Sequence, residues 1–199
     1  MQYTIRKAMQ ADVPAVAGIY DRILLKEEAG QVTIGWLRGV YPTEQTARAA
    51  LAADDLFVME ADGVICATAR INQVQVLEYR NADWRYADVP ENEIMVLHTL
   101  VVDPGTAGHG CGKAFVSFYE QYAIDHGCAY LRMDTNAINV GARRFYAKLG
   151  FWEAGIVECT FNGIPGVKLV CLEKSWSSDF WQNDGRSTGK HRSIFLWIS

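Results

Sequence analysis

Long apolar runs are missing from this chain. No stretch approaches the roughly 20 apolar residues that a membrane-spanning helix needs, and the opening MQYTIRKAMQADVPA lacks the apolar centre of a secretory signal. Paired cysteine spacings are missing too. The five cysteines, Cys66, Cys111, Cys128, Cys159 and Cys171, are odd in number, form no C-x-x-C pair and sit in or beside apolar runs. They read as reduced, mostly buried thiols. Four histidines, His98, His109, His126 and His191, fall at spacings that suit no metal, and none is expected. Excess positive charge is also absent: 19 Lys and Arg stand against 23 Asp and Glu, a formal charge of −4. That balance argues against a nucleic-acid partner, which would normally meet a basic face. A cytoplasmic protein with no membrane or nucleic-acid partner is expected, and a cationic small substrate is compatible.

What is present is enough apolar residue, half of a 199-residue chain, for one well-buried domain. The most informative stretch, residues 96–113, reads VLHTLVVDPGTAGHGCGK. An apolar strand runs into three alternating glycines, Gly108, Gly110 and Gly112, and then into a helix-forming run. Such a turn lets backbone N–H groups converge at a helix N-terminus, where unpaired donors and the positive dipole end suit an anion. Two phosphate loops are excluded by position. A G-x-x-x-x-G-K-[ST] loop would need glycine at Ala107 and a hydroxyl at Ala114. A G-x-G-x-x-G fingerprint would need glycine at Lys113.

Along the chain, Tyr3 to Arg6 alternates as a short strand, and a helix is expected from Asp12 with Val13, Val16, Tyr20, Ile23 and Leu24 on one face. Pro42-Thr43 opens a second helix. Strands over Leu56–Glu60 and Val64 to about Val76 flank the hairpin signal Ala61-Asp62-Gly63. Residues 77–92, LEYRNADWRYADVPEN, break the period and read as a candidate substrate loop. Glu93 to Val102 is apolar enough for a strand buried on both faces. A helix to Gly127, a strand over Cys128–Met133, a helix over Asn136–Leu149 and two strands joined at Asn162-Gly163 complete the pattern. No internal repeat occurs. Residues 177–199 show no clear period and are expected to be an appendage without catalytic role.

Two segments resemble motifs of the GNAT superfamily, the acyl-CoA-dependent N-acetyltransferases. Val102-Asp103-Pro104 with Gly110 and Gly112 resembles its cofactor motif, V-D-P followed by [RQ]-x-x-G-x-[GA], although Ala107 stands where Arg or Gln is usual. Asn139, Ala142, Tyr146, Gly150 and Phe151 resemble its second motif, N-x-x-A-x-x-x-Y-x-x-x-G-F. The resemblance covers residues 1–176 and implies an α/β fold: a central mixed, mostly antiparallel sheet with helices on both faces, in the order β-α-α-β-β-β-α-β-α-β-β.

By the same resemblance, acetyl-CoA would be held by Gly108, His109, Gly110, Cys111, Gly112 and Lys113 at the turn. Leu100, Val101 and Val102 on the strand edge, with Asn139 and Tyr146, would complete its site. Tyr146 is the expected general acid, and a phenol suits a thiolate leaving group. For the general base, LHTLVV resembles the strand histidine of arylalkylamine-type members, pointing to His98. Glu93 is the rival, and water alone is a third route. Trp36, Tyr79, Trp84 and His98 would contact the acceptor. The implied reaction moves acetyl to a small-molecule primary amine in a ternary complex. A protein or peptide amine is the second acceptor, and a non-catalytic acyl-CoA-binding regulatory module is the alternative from another class. A homodimer stays open.

Overall fold

The computed structural model describes residues 2–176, so the expectation for 177–199 lies outside the described residues. Seven strands and four helices follow the expected order. They are β1 (Tyr3–Lys7), α1 (Val13–Glu28), α2 (Glu44–Ala52), β2 (Leu56–Ala61), β3 (Val64–Asn72), β4 (Ile94–Val102), α3 (Cys111–Asp125), β5 (Tyr130–Asn136), α4 (Val140–Lys148), β6 (Trp152–Phe161) and β7 (Ile164–Ser175). The strands form one sheet in the order β1-β2-β3-β4-β5-β7-β6. Only the central β4–β5 pair is parallel. The mixed, mostly antiparallel sheet is as expected.

Local chemistry sets the boundaries. Asp62-Gly63 and Asn162-Gly163 both take positive φ, as two-residue hairpin turns matched to strand twist require. Thr43 caps α2 by accepting the Thr46 N–H. Asp12 precedes α1 without capping it: its carboxylate takes the Arg6 guanidinium at 2.7 and 3.1 Å and the Met9 N–H. Phe115, Val116, Tyr119 and Ala123 of α3 bury one sheet face together with Tyr146 and Phe151. Val13, Val16, Ile19 and Tyr20 of α1 cover the other over Leu56, Val58 and Val101, with Ala47 and Ala50 of α2.

Residues 77–92 form no open loop. Short 3-10 turns at Leu77–Asn81 and Glu91–Glu93 bracket a segment packed over β5, β6 and β7. Its backbone is pinned by a buried ion pair. Glu173 accepts the Arg85 N–H at 3.0 Å, and Arg132 reaches both Glu173 at 3.3 Å and the Tyr86 carbonyl at 2.7 Å. The missing period reads as a substrate loop in sequence; its backbone and the Tyr79 and Trp84 rings are instead bonded inward, while Arg80, Asn81, Asp83, Asp88 and Glu91 stay exposed.

Two features of β4 open the sheet. Thr99 has φ +51, a left-handed conformation that a β-branched residue rarely takes, and the β3–β4 register shifts beside it. One extra residue reverses the alternation. Before it Met95 and Leu97 face α3, whereas after it Leu100 and Val102 face α3 and Val101 turns to α1. In addition, β4 pairs with β5 only from Ile94↔Tyr130 to Leu97↔Met133. Beyond that point β5 stays with β7 as far as Asn136↔Leu169, while Val101 and Val102 stay paired to Thr68 and Ala67 of β3. The two central strands part, and β4 presents an unpaired edge toward the gap.

Candidate active site

A cavity of about 380 Å³ lies at this parting. Residues 98–102 of β4 and 134–136 of β5 form its sides. Arg70 and Asn72 of β3, Trp36 and Tyr41 of the α1–α2 connection, and Asn139, Ala142 and Tyr146 around α4 close it. Because α1 and α4 cover opposite faces of the sheet, the cavity joins the two faces. The hydroxyls of Tyr41 and Thr99 hydrogen-bond, tying the connection to the bulge. Trp36 meets Tyr41 edge to face, with ring centroids 5.8 Å apart.

His98 stands at the end of the paired half of β4. Its Nε2 lies 3.0 Å from Asn72 Oδ1, an oxygen that also accepts the Val74 N–H. An amide oxygen only accepts, so Nε2 donates and Nδ1 is the basic nitrogen. Asn72 is fixed in turn by donating to Asp55 Oδ2 at 2.7 Å, the same oxygen that takes Arg70 Nη2 at 2.9 Å. Burial, helped by the Arg70 charge, pushes the imidazole down to about 4, so it stays neutral at physiological pH.

Across the gap stands Asp134, which the sequence reading did not single out. It accepts the Tyr79 hydroxyl at 2.8 Å. Burial pushes its carboxyl up to about 7, with the Tyr79 hydrogen bond pulling down and Glu78 pushing up. A signal was available: Arg132, Asp134 and Asn136 put polar groups at every second position of a strand flanked on both sides, where a polar face needs internal partners.

Tyr146 is buried on α4 at 8 % exposure and lines the cavity. Burial first, then Asp134, raises its phenol well above the ordinary range, so the proton stays on. Asn139 also lines the cavity, but its side chain caps α4 by accepting the Ala142 N–H at 3.0 Å.

The glycine turn lies outside the cavity, next to its α3 side. Gly108 and Gly110 take φ +86 and +80, with open space where a side chain would be. Gly110 precedes the first turn of α3, whose first intrahelical N–H donor is Ala114. The N–H groups of Cys111, Gly112 and Lys113 are therefore free of helix partners. A side chain on Gly112 would meet Phe145 at 3.4 Å and Val102 at 3.7 Å. Arg22 grips both oxygens of Asp103 at 2.6–3.1 Å, fixing the strand end before the turn. His109 is exposed and Cys111 is buried.

Of the expected site residues, His98, Leu100, Val101, Val102, Asn139, Tyr146 and Trp36 come together in the cavity. Three do not. Glu93 lies in the turn before β4, at the end remote from the gap. Tyr79 is a buried support behind the wall, holding Asp134. Trp84 packs on Tyr79 at 5.2 Å and donates its indole N–H to the Tyr79 carbonyl at 2.7 Å, with Arg132 over its ring. Both aromatic side chains are spent on packing, so neither lines the space an acceptor would fill. Among the described residues, no group of three His, Cys, Asp or Glu could hold a metal, and no helix is long and apolar enough to cross a membrane.

Residues 23–151 match the model of the acetyltransferase (GNAT) family. An uncharacterized N-acetyltransferase of Methanocaldococcus jannaschii is 31% identical over 72 residues, 36% of this chain and 32% of the relative. The N-acetylaspartate synthetase of Xenopus tropicalis is 27% identical over 84 residues, 42% of this chain and 30% of the relative. The chain thus spans about a third of the length of these curated relatives. Among solved structures, a GNAT-family acetyltransferase of Streptococcus agalactiae superposes with TM-score 0.71 at 17% identity, covering 88% of this chain and 96% of that one. A Salmonella typhimurium protein solved with its cofactor acetyl-CoA gives 0.63 at 20% identity, covering 89% and 96%. The ribosomal-protein-S18-alanine N-acetyltransferase of Escherichia coli gives 0.62 at 18% identity, covering 99% and 100%. These structures share the fold.

Proposed function

Because the chain belongs to the acetyltransferase (GNAT) family, whose model matches more than half of it, we propose that it moves the acetyl group of acetyl-CoA to the primary amine of a small molecule, by direct attack in a ternary complex. The observation that carries this reading is the parting of β4 from β5, which joins the two sheet faces in one cavity between His98 and Tyr146. Donor and acceptor can meet there from opposite sides.

The residues present fit acetyl-CoA. Free N–H groups at the start of α3, beside glycines with no side chain in the way, suit a pyrophosphate. The unpaired edge of β4 over Leu100, Val101 and Val102 suits an amide-bearing arm. When bound, acetyl-CoA supplies a thioester whose carbonyl carbon takes the amine nitrogen and whose sulfur leaves with the bonding pair. A main-chain N–H of Leu100 or Val101 stabilises charge on the carbonyl oxygen. Tyr146 keeps its proton until a thiolate needs it. Neutral His98 offers Nδ1 to the ammonium proton and, as a weak base, passes it on to water. Glu93 is too remote from the gap to share this task.

A protein amine is the second reading, favoured by ribosomal-protein-alanine N-acetyltransferases among the structural neighbours. The test is the rate of CoA release from acetyl-CoA across amines, amino acids and peptides, with Tyr146→Phe alongside and a no-amine blank for the five cysteines. Small amines are expected to accelerate release and Tyr146→Phe to suppress it. Acceleration by peptides alone would move the acceptor to protein. No acceleration by either, with acetyl-CoA bound, would overturn the enzyme reading.

A further inference from the structure

A guanidinium and a carboxyl face the same cavity without facing each other. Arg70 on β3 and Asp134 on β5 lie on the strands flanking β4, and both line the cavity. The Tyr41 hydroxyl senses both, since Asp134 makes its ionisation harder and Arg70 makes it easier. Neither group has all its hydrogen-bonding capacity filled. Asp55 takes Arg70 through Nε at 3.1 Å and Nη2 at 2.9 Å, which fixes the guanidinium and leaves Nη1 without a hydrogen-bond partner among the described residues. Asp134 Oδ2 takes the Tyr79 hydroxyl, and Oδ1 takes none from the described residues.

We infer that the acceptor is an amino acid, an amine carrying its own carboxylate, held with its ammonium against Asp134 and its carboxylate against Arg70. This rests on the acetyl-transfer reading above. The orientation follows from the sheet. Asp134 borders the gap that Tyr146 lines from the other face, so the reacting nitrogen belongs at that end. Arg70 lies across β4 from the gap, paired with His98 in the β3–β4 register, so the carboxylate belongs there. Two strands flanking a third are about 10 Å apart where all three pair, and more where β5 parts from β4, a distance that an arginine, an aspartate and a small zwitterion can span between them. The same arrangement selects against rivals. A decarboxylated amine leaves Nη1 to water, and a polyamine brings a second cation toward the guanidinium.

The experiment compares each amino acid with the amine lacking its carboxylate: phenylalanine with phenethylamine, leucine with isoamylamine, γ-aminobutyrate with propylamine. CoA release is read for the wild-type protein, Arg70→Met and Arg70→Lys, and calorimetry reads binding of the same compounds with CoA present. For at least one pair, kcat/KM is expected to favour the amino acid by about 10- to 100-fold. Arg70→Met should erase that preference, Arg70→Lys should keep part of it, and acetyl-CoA affinity should hold in both. Equal or better turnover of the decarboxylated partners, or a preference that survives Arg70→Met, overturns the inference and leaves acetyl transfer standing. If nothing is acetylated but amino acids bind and Arg70→Met abolishes that binding, the amino-acid site stands as a binding site and the transfer reading fails. Amino acids that neither bind nor react overturn it.

Discussion

Tyr79 donates its hydroxyl to Asp134 Oδ2 at 2.8 Å from a segment whose polar sequence suggests a surface loop. The pair has a consequence for stability. Asp134 ionises at about 7 in the folded protein against an ordinary 3.8, so between those values the folded state holds a proton that the unfolded chain has released. Stability from this group is therefore highest below about 4 and falls as pH rises through 7. The groups facing it are Glu78 and Tyr79 from the covering segment, Tyr41 from the α1–α2 connection, Cys159 of β6, Cys171 of β7 and Tyr146 of α4. Asp134→Asn should gain about 3 kcal/mol over wild type between pH 4.5 and pH 8, read by urea unfolding. Tyr79→Phe should move the wild-type decline to higher pH. Parallel curves for all three proteins would refute the assignment.

Tyr146→Phe keeps the ring that packs near Phe145 and Phe151, with centroids 5.1 and 6.0 Å away, and removes only the proton. Turnover should fall about 100-fold or more, while the acetyl-CoA Kd stays within about threefold. A matching loss in affinity would make Tyr146 a binding group and not an acid.

Gly110 holds φ +80 at the start of α3. Gly110→Asp should weaken acetyl-CoA binding by adding negative charge beside the free N–H groups. Gly110→Ala separates backbone from charge: it should cost about 1 kcal/mol of stability and bind better than the aspartate variant. Unchanged affinity in Gly110→Asp would move the cofactor elsewhere.

Glu173 is fully buried, joined to Arg132 and to the Arg85 N–H. Glu173→Ala strands a buried guanidinium, and a loss of about 3–5 kcal/mol is expected. Because the same carboxylate pins residues 77–92, limited proteolysis should begin cutting there. Unaltered cleavage would show that packing of Tyr79 and Trp84 alone holds the segment.

Much of the architecture was legible because it is written in short-range chemistry. Asp62-Gly63 and Asn162-Gly163 dictate hairpins, Thr43 dictates a helix start, and the glycines ahead of Cys111 dictate a turn. Boundaries erred where tertiary pairing decides. β3 ends at Asn72 and not near Val76, and β5 runs on to Asn136 because β7 pairs with it that far. In the site, Tyr146, His98 and the β4 edge were readable from motif and order. Asp134 was not, since its role arises from Tyr79, fifty-five positions away. Tyr79 and Trp84 look like binding aromatics in sequence, and only the Arg132–Glu173 pair beneath them explains why they turn inward.

The left-handed residue at Thr99 means that β4 is a strand whose two halves obey opposite rules. A chain lacking that one residue would keep regular alternation, with Leu100 and Val102 still toward α3, and would pair without a break against β3. The workplace of this molecule is a fault line, bordered by a strand with one residue too many.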